Sequence, residues 1–204
     1  MNIKILRDRP FSEGSGVIGY PELPRLIDRK YLGSNPDAFQ NFLPRIFDHL
    51  SELSGYYPGF DEWLDKKVFP GLMSGERSIL LEYRRGHLSG LAIVKDDESE
   101  QKLCCLRVLP PYQGTGVGLK LFERSFEVLN NDSPLLSIAE EQLVVFRKIF
   151  QYYGFEFAKI YPDYYRPFKA ELSFNGLIES DSNFSLLKPS TGFQLPKFRK
   201  STHG

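Results

Sequence analysis

The sequence predicts an α/β protein whose single mixed, mostly antiparallel central sheet is flanked by helices. Three segments with strand-like alternation follow one another between residues 77 and 109, which is typical of an antiparallel meander. Two amphipathic segments, 119–129 and 142–153, then alternate with further strand-like segments, which indicates a mixed sheet with helices on its faces. The 204 residues, 41% of them apolar, are enough for one domain with a substantial core.

The first fifty residues predict a strand, a long loop and a helix. Polar and apolar residues alternate over 2–6, as in a short strand. Residues 11–34 hold four glycines and two prolines among few periodic features, so we predict a long loop insertion there. Asn35 is suited to cap a helix whose apolar residues recur at helical spacing as far as Leu50, with a kink at Pro44.

The middle of the chain predicts a short helix followed by the three strands of the meander. The helix spans 60–68 and closes at Pro70-Gly71, since proline and glycine commonly end helices. The three strands are predicted over 77–85, 87–95 and 101–109.

The last third of the chain predicts two helices and three strands. The first helix ends at Asn130, and Gly154 ends the second. The apolar face of the first helix is predicted to contain Leu119, Phe122, Phe126 and Leu129. The strands are predicted over 135–139, 155–161 and 168–174. We therefore predict one folded domain over 1–176 and a polar tail over 177–204.

Composition and charge exclude several classes of protein. The 26 Lys and Arg residues balance 26 Asp and Glu residues, which argues against a nucleic-acid-binding field across the whole surface. The two cysteines, Cys104 and Cys105, are adjacent, so they support neither a disulfide framework nor a four-ligand zinc site, and we expect no metal. No apolar run is long enough to span a membrane, and the charged start over 1–8 does not resemble a signal peptide. We expect a cytoplasmic protein that binds no membrane.

One glycine-rich segment carries the chemistry. A predicted strand runs into residues 113–118, which read Gln-Gly-Thr-Gly-Val-Gly, and then into a helix. Glycines have no side chains, so a ligand can approach the backbone closely. A helix N-terminus presents unpaired N–H groups and a positive dipole end. The expected guest is an anion, most often phosphate, and a connection without a ligand is the alternative. The segment fits poorly to a P-loop, which needs Gly-Lys-Ser/Thr, and to a dinucleotide fingerprint, which needs an early βαβ unit.

The run from Leu106 to Gly118 closely resembles the acetyl-CoA signature of the GNAT superfamily of N-acyltransferases. That signature is an apolar strand, a proline, an aromatic residue, and Arg/Gln-x-x-Gly-x-Gly opening a helix. The second hallmark is a helix ending in Tyr153-Gly154-Phe155 before a strand. The order of predicted elements is similar over 2–174. The resemblance implies a GNAT-like acyl-CoA N-acyltransferase fold with acetyl-CoA as co-substrate.

The resemblance also implies which residues bind the coenzyme. The backbone of 106–108 would meet the pantetheine and the acetyl group, while the amides of 114–119 would hold the pyrophosphate. A bulged or splayed strand exposes N–H groups that suit this task. For the Arg107 side chain, contact with a CoA phosphate and exposure to solvent both stay open. The full set is Leu106, Arg107, Val108, Gln113, Gly114, Thr115, Gly116, Val117, Gly118 and Leu119.

Acyl transfer to an amine also needs a base, because an unperturbed lysine amine has a pKa of about 10.4. Glu140 and Glu141 follow a predicted strand, where GNAT enzymes often place a base, and strand alternation would point them opposite ways. We favour Glu140, with carboxylates that cap the next helix as the alternative. Many GNAT enzymes carry a tyrosine as acid where this chain has Phe150, so Tyr153 or Tyr165 is a candidate substitute.

The predicted function is that of an N-acetyltransferase, in which an amine attacks the thioester of acetyl-CoA directly. One alternative is a catalytically impaired acyl-CoA-binding regulatory or interaction module, suggested by Phe150. Another is an acetyltransferase for a protein or an aminoacyl-tRNA, to which the basic residues near 197–200 would add phosphate contacts. A homodimer stays open. We expect three tyrosine pairs to border the acceptor cleft: Tyr56-Tyr57, Tyr152-Tyr153 and Tyr164-Tyr165.

Overall fold

The computed structural model describes residues 24–38 and 43–178 of the chain. The strand predicted over 2–6, the first part of the predicted loop and residues 179–204 of the predicted tail lie outside the described residues. Within the described residues, the predicted fold class is confirmed, because one seven-stranded sheet carries helices on both of its faces.

The sheet is mixed and mostly antiparallel. Its strands are β1 (Leu26–Ile27), β2 (Arg77–Arg84), β3 (His87–Asp96), β4 (Gln101–Val108), β5 (Leu135–Ala139), β6 (Phe157–Pro162) and β7 (Ala170–Phe174). They are ordered β1-β2-β3-β4-β5-β7-β6, and β4 with β5 is the parallel pair. The predicted meander of β2, β3 and β4 is confirmed.

The helices lie before, between and after these strands. They are α1 (Arg29–Ser34), α2 (Leu43–Asp48), α3 (Phe60–Trp63), α4 (Phe69–Ser74), α5 (Val117–Leu129) and α6 (Leu143–Tyr153), with a π-helical segment at Leu64–Val68. Short 3₁₀ turns occupy Ser51–Gly55, Pro110–Tyr112 and Glu140–Gln142. As predicted, α5 ends at Asn130 and α6 at Gly154, both in the left-handed conformation.

Two predictions for the N-terminal half are wrong. Part of the predicted loop 11–34 forms β1 and α1, because Asp28 caps α1 by accepting a hydrogen bond from the Tyr31 N–H at 2.7 Å and β1 pairs with β2. The helix predicted to close at Pro70 continues to Ser74. Pro70 lies in the first turn of α4, just after the π-helical segment, where its missing N–H is not needed.

Strand alternation gives the sheet two apolar faces. We call them the α1–α4 face and the α5–α6 face, after the helices that cover them. The strand residues buried on the α1–α4 face are Ile27, Ile79, Leu81, Leu91, Ile93 and Cys105. Those on the α5–α6 face include Leu80, Ala92, Val94, Leu103, Leu136, Ile138, Leu172 and Phe174. Side chains that follow one another along a strand therefore meet different sets of helices.

The helix α5 turns a slightly different face to the sheet than the sequence predicts. Leu119, predicted to be buried, is 37% exposed. The buried stripe instead begins at Val117, the first residue of the helix, and continues through Leu121, Phe122, Phe126 and Leu129. The reason is that the helix starts two residues before the predicted apolar set, so Val117 and Leu121 take the positions that face the sheet.

A buried ion cluster fixes α5 to the sheet. Glu82 of β2 is 1% exposed and accepts hydrogen bonds from Lys120 at 2.6 Å, from Arg124 at 3.2 Å and from Arg25 at 3.4 Å. Burial works against the ionised carboxylate, but the Lys120 hydrogen bond and the three positive charges outweigh it and hold the pKa of Glu82 below its ordinary value. The start of α5, and with it the glycine-rich segment, is thereby held against β2.

Candidate active site

The sheet opens between β4 and β5. Within the described residues their ladder ends where Leu103 pairs with Leu136, although β4 continues to Val108. A β-bulge at Cys104, which is an extra residue opposite β3, adds to the divergence. The edge of β4 that faces β5 therefore has no strand partner over 104–108. We call this opening the wedge, and it is the splayed, bulged strand that the sequence resemblance implies.

A glycine corner, residues 113–118, joins β4 to α5. Gly114 and Gly116 have φ angles of 74° and 83°, in the left-handed region that residues with a Cβ rarely adopt. A Cβ placed on either residue would meet no atom within 4 Å. No described side chain fills the space beside the corner, so the backbone is open to a ligand.

The corner also presents backbone donors. Among the described residues, no acceptor is bonded to the N–H groups of Gly114, Gly116, Val117, Gly118 and Leu119. The N–H of Thr115 is used within the corner, where it donates to the carbonyl of Tyr112 at 3.3 Å. The free donors gather at the positive end of a 13-residue helix, which is an arrangement that binds phosphate groups.

The side chains predicted around the coenzyme lie on different faces of the sheet. Leu106 and Val108 pack on the α5–α6 face, while Gln113 donates to the carbonyl of Val108 at 3.4 Å. The Arg107 side chain is 15% exposed and forms an ion pair with Glu52. Since alternation places it on the α1–α4 face, Arg107 is neither a solvent-exposed arginine nor directed towards the glycine corner.

Glu140 and Glu141 do not point in opposite directions. They lie in a 3₁₀ turn after β5, and their carboxylates approach Lys169 at 3.5 and 3.3 Å. One Arg166 nitrogen also donates to both Glu141 oxygens, at 2.9 and 3.0 Å. Burial opposes ionisation of Glu141, but its own backbone N–H, Arg166 and Lys169 outweigh it and lower its pKa. The expectation of opposite directions fails because successive side chains in a 3₁₀ turn are separated by about 120°.

Phe150 and Tyr153 belong to an aromatic cluster between α5 and α6. Phe150 is 4% exposed, and its ring centroid lies 4.3 Å from that of Phe174. Tyr153 packs its ring 5.0 Å from Phe126 and donates from its hydroxyl to Glu123 at 3.3 Å. Burial and the Glu123 charge raise the pKa of Tyr153 to about 12. The structure does not bring Tyr153 to the two glutamates, which contact the β6–β7 loop instead.

Two of the three predicted tyrosine pairs meet beside the wedge. The Tyr57 and Tyr165 rings make an edge-to-face contact at 5.2 Å, and Arg166 lies 5.3 Å from the Tyr56 ring centroid. We call Tyr57 and Tyr165 the tyrosine roof. Tyr152, by contrast, is 75% exposed at the end of α6. The β6–β7 loop therefore closes against residues 55–57 on the α1–α4 face.

The structure adds one residue that the sequence analysis did not select. Glu171 of β7 is 3% exposed, and its Oε1 has no hydrogen-bond partner among the described residues. Burial raises the pKa of Glu171 to about 7, although Ser137, Lys102 and Arg166 act in the opposite direction. The sequence feature that could have identified Glu171 is its position between apolar residues of the strand Ala170–Phe174. Both faces of the sheet are covered at this strand.

The two cysteines, Cys104 and Cys105, interact with the surrounding protein. Burial raises the pKa of Cys105 to about 12, and Cys104 accepts a hydrogen bond from Arg77 at 3.2 Å.

Among the described residues, no three histidine, cysteine or acidic side chains gather as metal ligands. None of the helices within 24–38 and 43–178 combines the length and apolar character needed to cross a membrane.

Comparisons with known proteins give structural neighbours alone. No family model matches the chain, and no curated protein matches it. A protein from Desulfovibrio desulfuricans, assigned as an acetyltransferase of the GNAT family, is 15% identical with a TM-score of 0.49, over 61% of this chain and 85% of that one. An aminoglycoside 6'-N-acetyltransferase complexed with coenzyme A is 13% identical with a TM-score of 0.46, over 64% and 89%.

A third solved structure is the ribosomal-protein-S18-alanine N-acetyltransferase from Escherichia coli. It is 18% identical with a TM-score of 0.46, over 56% of this chain and 79% of that one. All three TM-scores lie below 0.5, so these likenesses by themselves assign no activity to the chain. The chain's own strand order, wedge and glycine corner have the arrangement that the resemblance to the GNAT superfamily implies.

Proposed function

We propose that the protein is an acetyl-CoA-dependent N-acetyltransferase. The observation that carries this proposal is the pairing of two open backbone surfaces, the unpaired edge of β4 in the wedge and the free amides of the glycine corner. The corner suits the pyrophosphate of the coenzyme, and the β4 edge suits an extended pantetheine arm with its thioester. The two surfaces are close in the chain, because only residues 109–112, which include a 3₁₀ turn, separate β4 from the corner.

The backbone groups also support a mechanism. N–H groups over 106–108 would polarise the thioester carbonyl, an effect worth several kcal/mol when the donors are preorganised. The acceptor amine would attack the carbonyl carbon, and the sulfur would leave as thiolate. A thiol of pKa about 8.5 leaves tolerably without an acid, so the lack of a hydroxyl at Phe150 does not prevent the reaction.

Three side chains remain as sequence-based proposals for proton transfer. Glu140 and Glu141 contact Arg166 and Lys169, which lie beside the tyrosine roof, and the lowered pKa of Glu141 weakens that residue as a base. Tyr153 is engaged with Glu123, which favours a packing role over that of an acid. The buried Phe150 keeps a second function open, that of a module that binds acyl-CoA without transferring the acyl group.

Calorimetry and a thiol-release assay separate these functions. We expect acetyl-CoA to bind the full chain at one site, and we expect release of free CoA thiol to depend on an added primary amine such as spermidine, tyramine or a peptide N-terminus. Binding without amine-dependent thiol release would favour the module. Absence of binding to acetyl-CoA and to CoA would overturn both functions.

A further inference from the structure

We infer that Glu171 is the general base that takes the proton from the acceptor amine, with the tyrosine roof closing over it. The inference deepens the proposed acetyltransferase and rests on it. The observation that motivates it is a buried carboxylate oxygen without a described partner, on the sheet face that borders the wedge.

The register of β7 places Glu171 next to the wedge. Glu171 pairs with Ala139 of β5, and Leu172 turns to the opposite face, where it joins the α5–α6 core. Ser137 is the first β5 residue beyond the β4–β5 ladder, and it shares the face of Glu171 by alternation. Glu171 is therefore separated from the wedge by β5 alone. It lies on the α1–α4 face, which residues 55–57 cover.

The tyrosine roof connects Glu171 to β4. Burial and the Glu171 charge both raise the pKa of Tyr57. Cys105 of β4 is close enough to raise this pKa as well. Burial and the same charge raise the pKa of Tyr165, and Cys104 is close enough to raise it as well. Each roof residue therefore lies close both to Glu171 and to a cysteine of the β4 segment 104–108 that borders the wedge. An acceptor amine that binds between the rings of Tyr57 and Tyr165 would lie between the Glu171 carboxylate and the acetyl group.

The groups facing Glu171 leave it uncharged part of the time near neutral pH. Ser137, Lys102 and Arg166 favour its charged form, and Glu141 opposes that form. Burial outweighs the favourable contacts, so the pKa rises to about 7. By contrast, ion pairs with Arg166 and Lys169 help to lower the pKa of Glu141.

A base of this strength suits an amine. An alkylammonium has a pKa of about 10.4, so a carboxylate at about 7 accepts its proton more readily than an ordinary carboxylate and is still half ionised near neutral pH. The ammonium proton passes to Glu171 Oε1, and the nitrogen lone pair forms the new C–N bond. The C–S bond breaks with its electron pair on sulfur, the remaining excess proton on nitrogen passes to that sulfur, and Glu171 returns its proton to solvent.

The test compares the wild-type chain with Glu171→Gln, which keeps the shape of the side chain and removes the base. With acetyl-CoA and an amine that the wild type acetylates, we expect kcat at pH 7 to fall about 100-fold or more, the usual contribution of a general base. Affinity for acetyl-CoA, measured by calorimetry, is expected to stay within about threefold. Glu156→Gln, which changes an exposed carboxylate before β6, is the matched control and is expected to retain the wild-type rate.

The pH profile distinguishes a base from a structural role. Wild-type kcat/KM is expected to rise to a plateau near pH 7, whereas the Glu171→Gln rate is expected to keep rising about tenfold per pH unit as the free amine accumulates. An undiminished rate in Glu171→Gln, with binding and wild-type turnover intact, overturns this inference alone. A wild type that releases no thiol with any amine overturns the proposed function and this inference with it.

A second measurement does not depend on turnover or on how well the variant folds. The protonated carboxyl of Glu171 is expected to give an infrared C=O band in the wild-type chain that titrates near pH 7. ¹³C-labelled glutamate resonances of the wild type are expected to show the same midpoint. Titration of Glu171 in the ordinary range of a surface glutamate, near pH 4 to 5, would overturn the inference.

Discussion

Gly116→Val is expected to abolish acetyl-CoA binding, with a loss of about 100-fold or more in affinity. Gly116 precedes α5 with a φ of 83°, and its missing Cβ leaves the space beside the corner open. A valine side chain would occupy that space and keep the pyrophosphate from the amides of 116–119. Two lost charge-assisted hydrogen bonds at about 1.5–3 kcal/mol each account for the expected loss. Calorimetry with acetyl-CoA measures it.

A matched glycine separates loss of the ligand from loss of the fold. Gly86, in the β2–β3 turn, has a φ of 80° and likewise no neighbour within 4 Å of a Cβ. Gly86→Val therefore carries similar backbone strain, about 1–2 kcal/mol, away from the corner. We expect both variants to lose similar thermal stability and Gly116→Val alone to lose acetyl-CoA. Equal affinities in the two variants would contradict a role of the corner in binding.

Glu171→Gln is expected to stabilise the fold at alkaline pH. The pKa of Glu171 is raised from 4.5 to about 7 in the folded chain, so its contribution is fully present below pH 4.5 and is lost as pH rises through 7. A shift of this size corresponds to about 3 kcal/mol of folding free energy. Glutamine does not titrate, so the variant does not lose this contribution.

Denaturant unfolding at pH 4.5 and pH 8.5 tests this expectation. The stability of Glu171→Gln relative to the wild type is expected to increase by about 3 kcal/mol between the two pH values. Glu156→Gln controls for the loss of one negative charge. A difference between Glu171→Gln and the wild type that stays constant with pH would show that Glu171 titrates alike in the folded and unfolded chains.

The sequence predicts those parts of the fold that local signals determine. Alternation over 77–109 defines the meander, and Gly154 defines the end of α6 through its left-handed conformation. The glycine corner is predicted for the same reason, since Gly114 and Gly116 adopt angles that few other residues tolerate. Each of these features depends on residues close together in the chain.

Other features depend on residues far apart in the chain. Pro70 does not end its helix, because the preceding π-helical segment places it in a new first turn. Arg107 is drawn to Glu52, 55 residues earlier, and this contact decides its environment. Alternation alone cannot reveal either effect, because it reports which side chains share a face and not what covers that face.

Glu171 shows the same limit within the candidate site. A glutamate in a strand normally indicates an exposed face, and Glu140 and Glu141 at a strand end fit the expected place of a base better. The closure of the tyrosine roof over the α1–α4 face accompanies the burial of Glu171, whose Oε1 has no partner among the described residues. The same closure depends on Arg166, which binds Glu141 and lies over Tyr56.

Under the proposed function, coenzyme A lies along the wedge with its pyrophosphate at the glycine corner. Amide NMR of the ¹⁵N-labelled chain, titrated with CoA, reports this placement residue by residue. We expect the largest shift changes at the N–H groups of 114 and 116–119 and at those N–H groups of 104–108 that face the wedge, since these groups would donate to the ligand. Binding with the shifts of those amides unchanged, and with changes confined to another surface, would show that coenzyme A does not lie along the wedge.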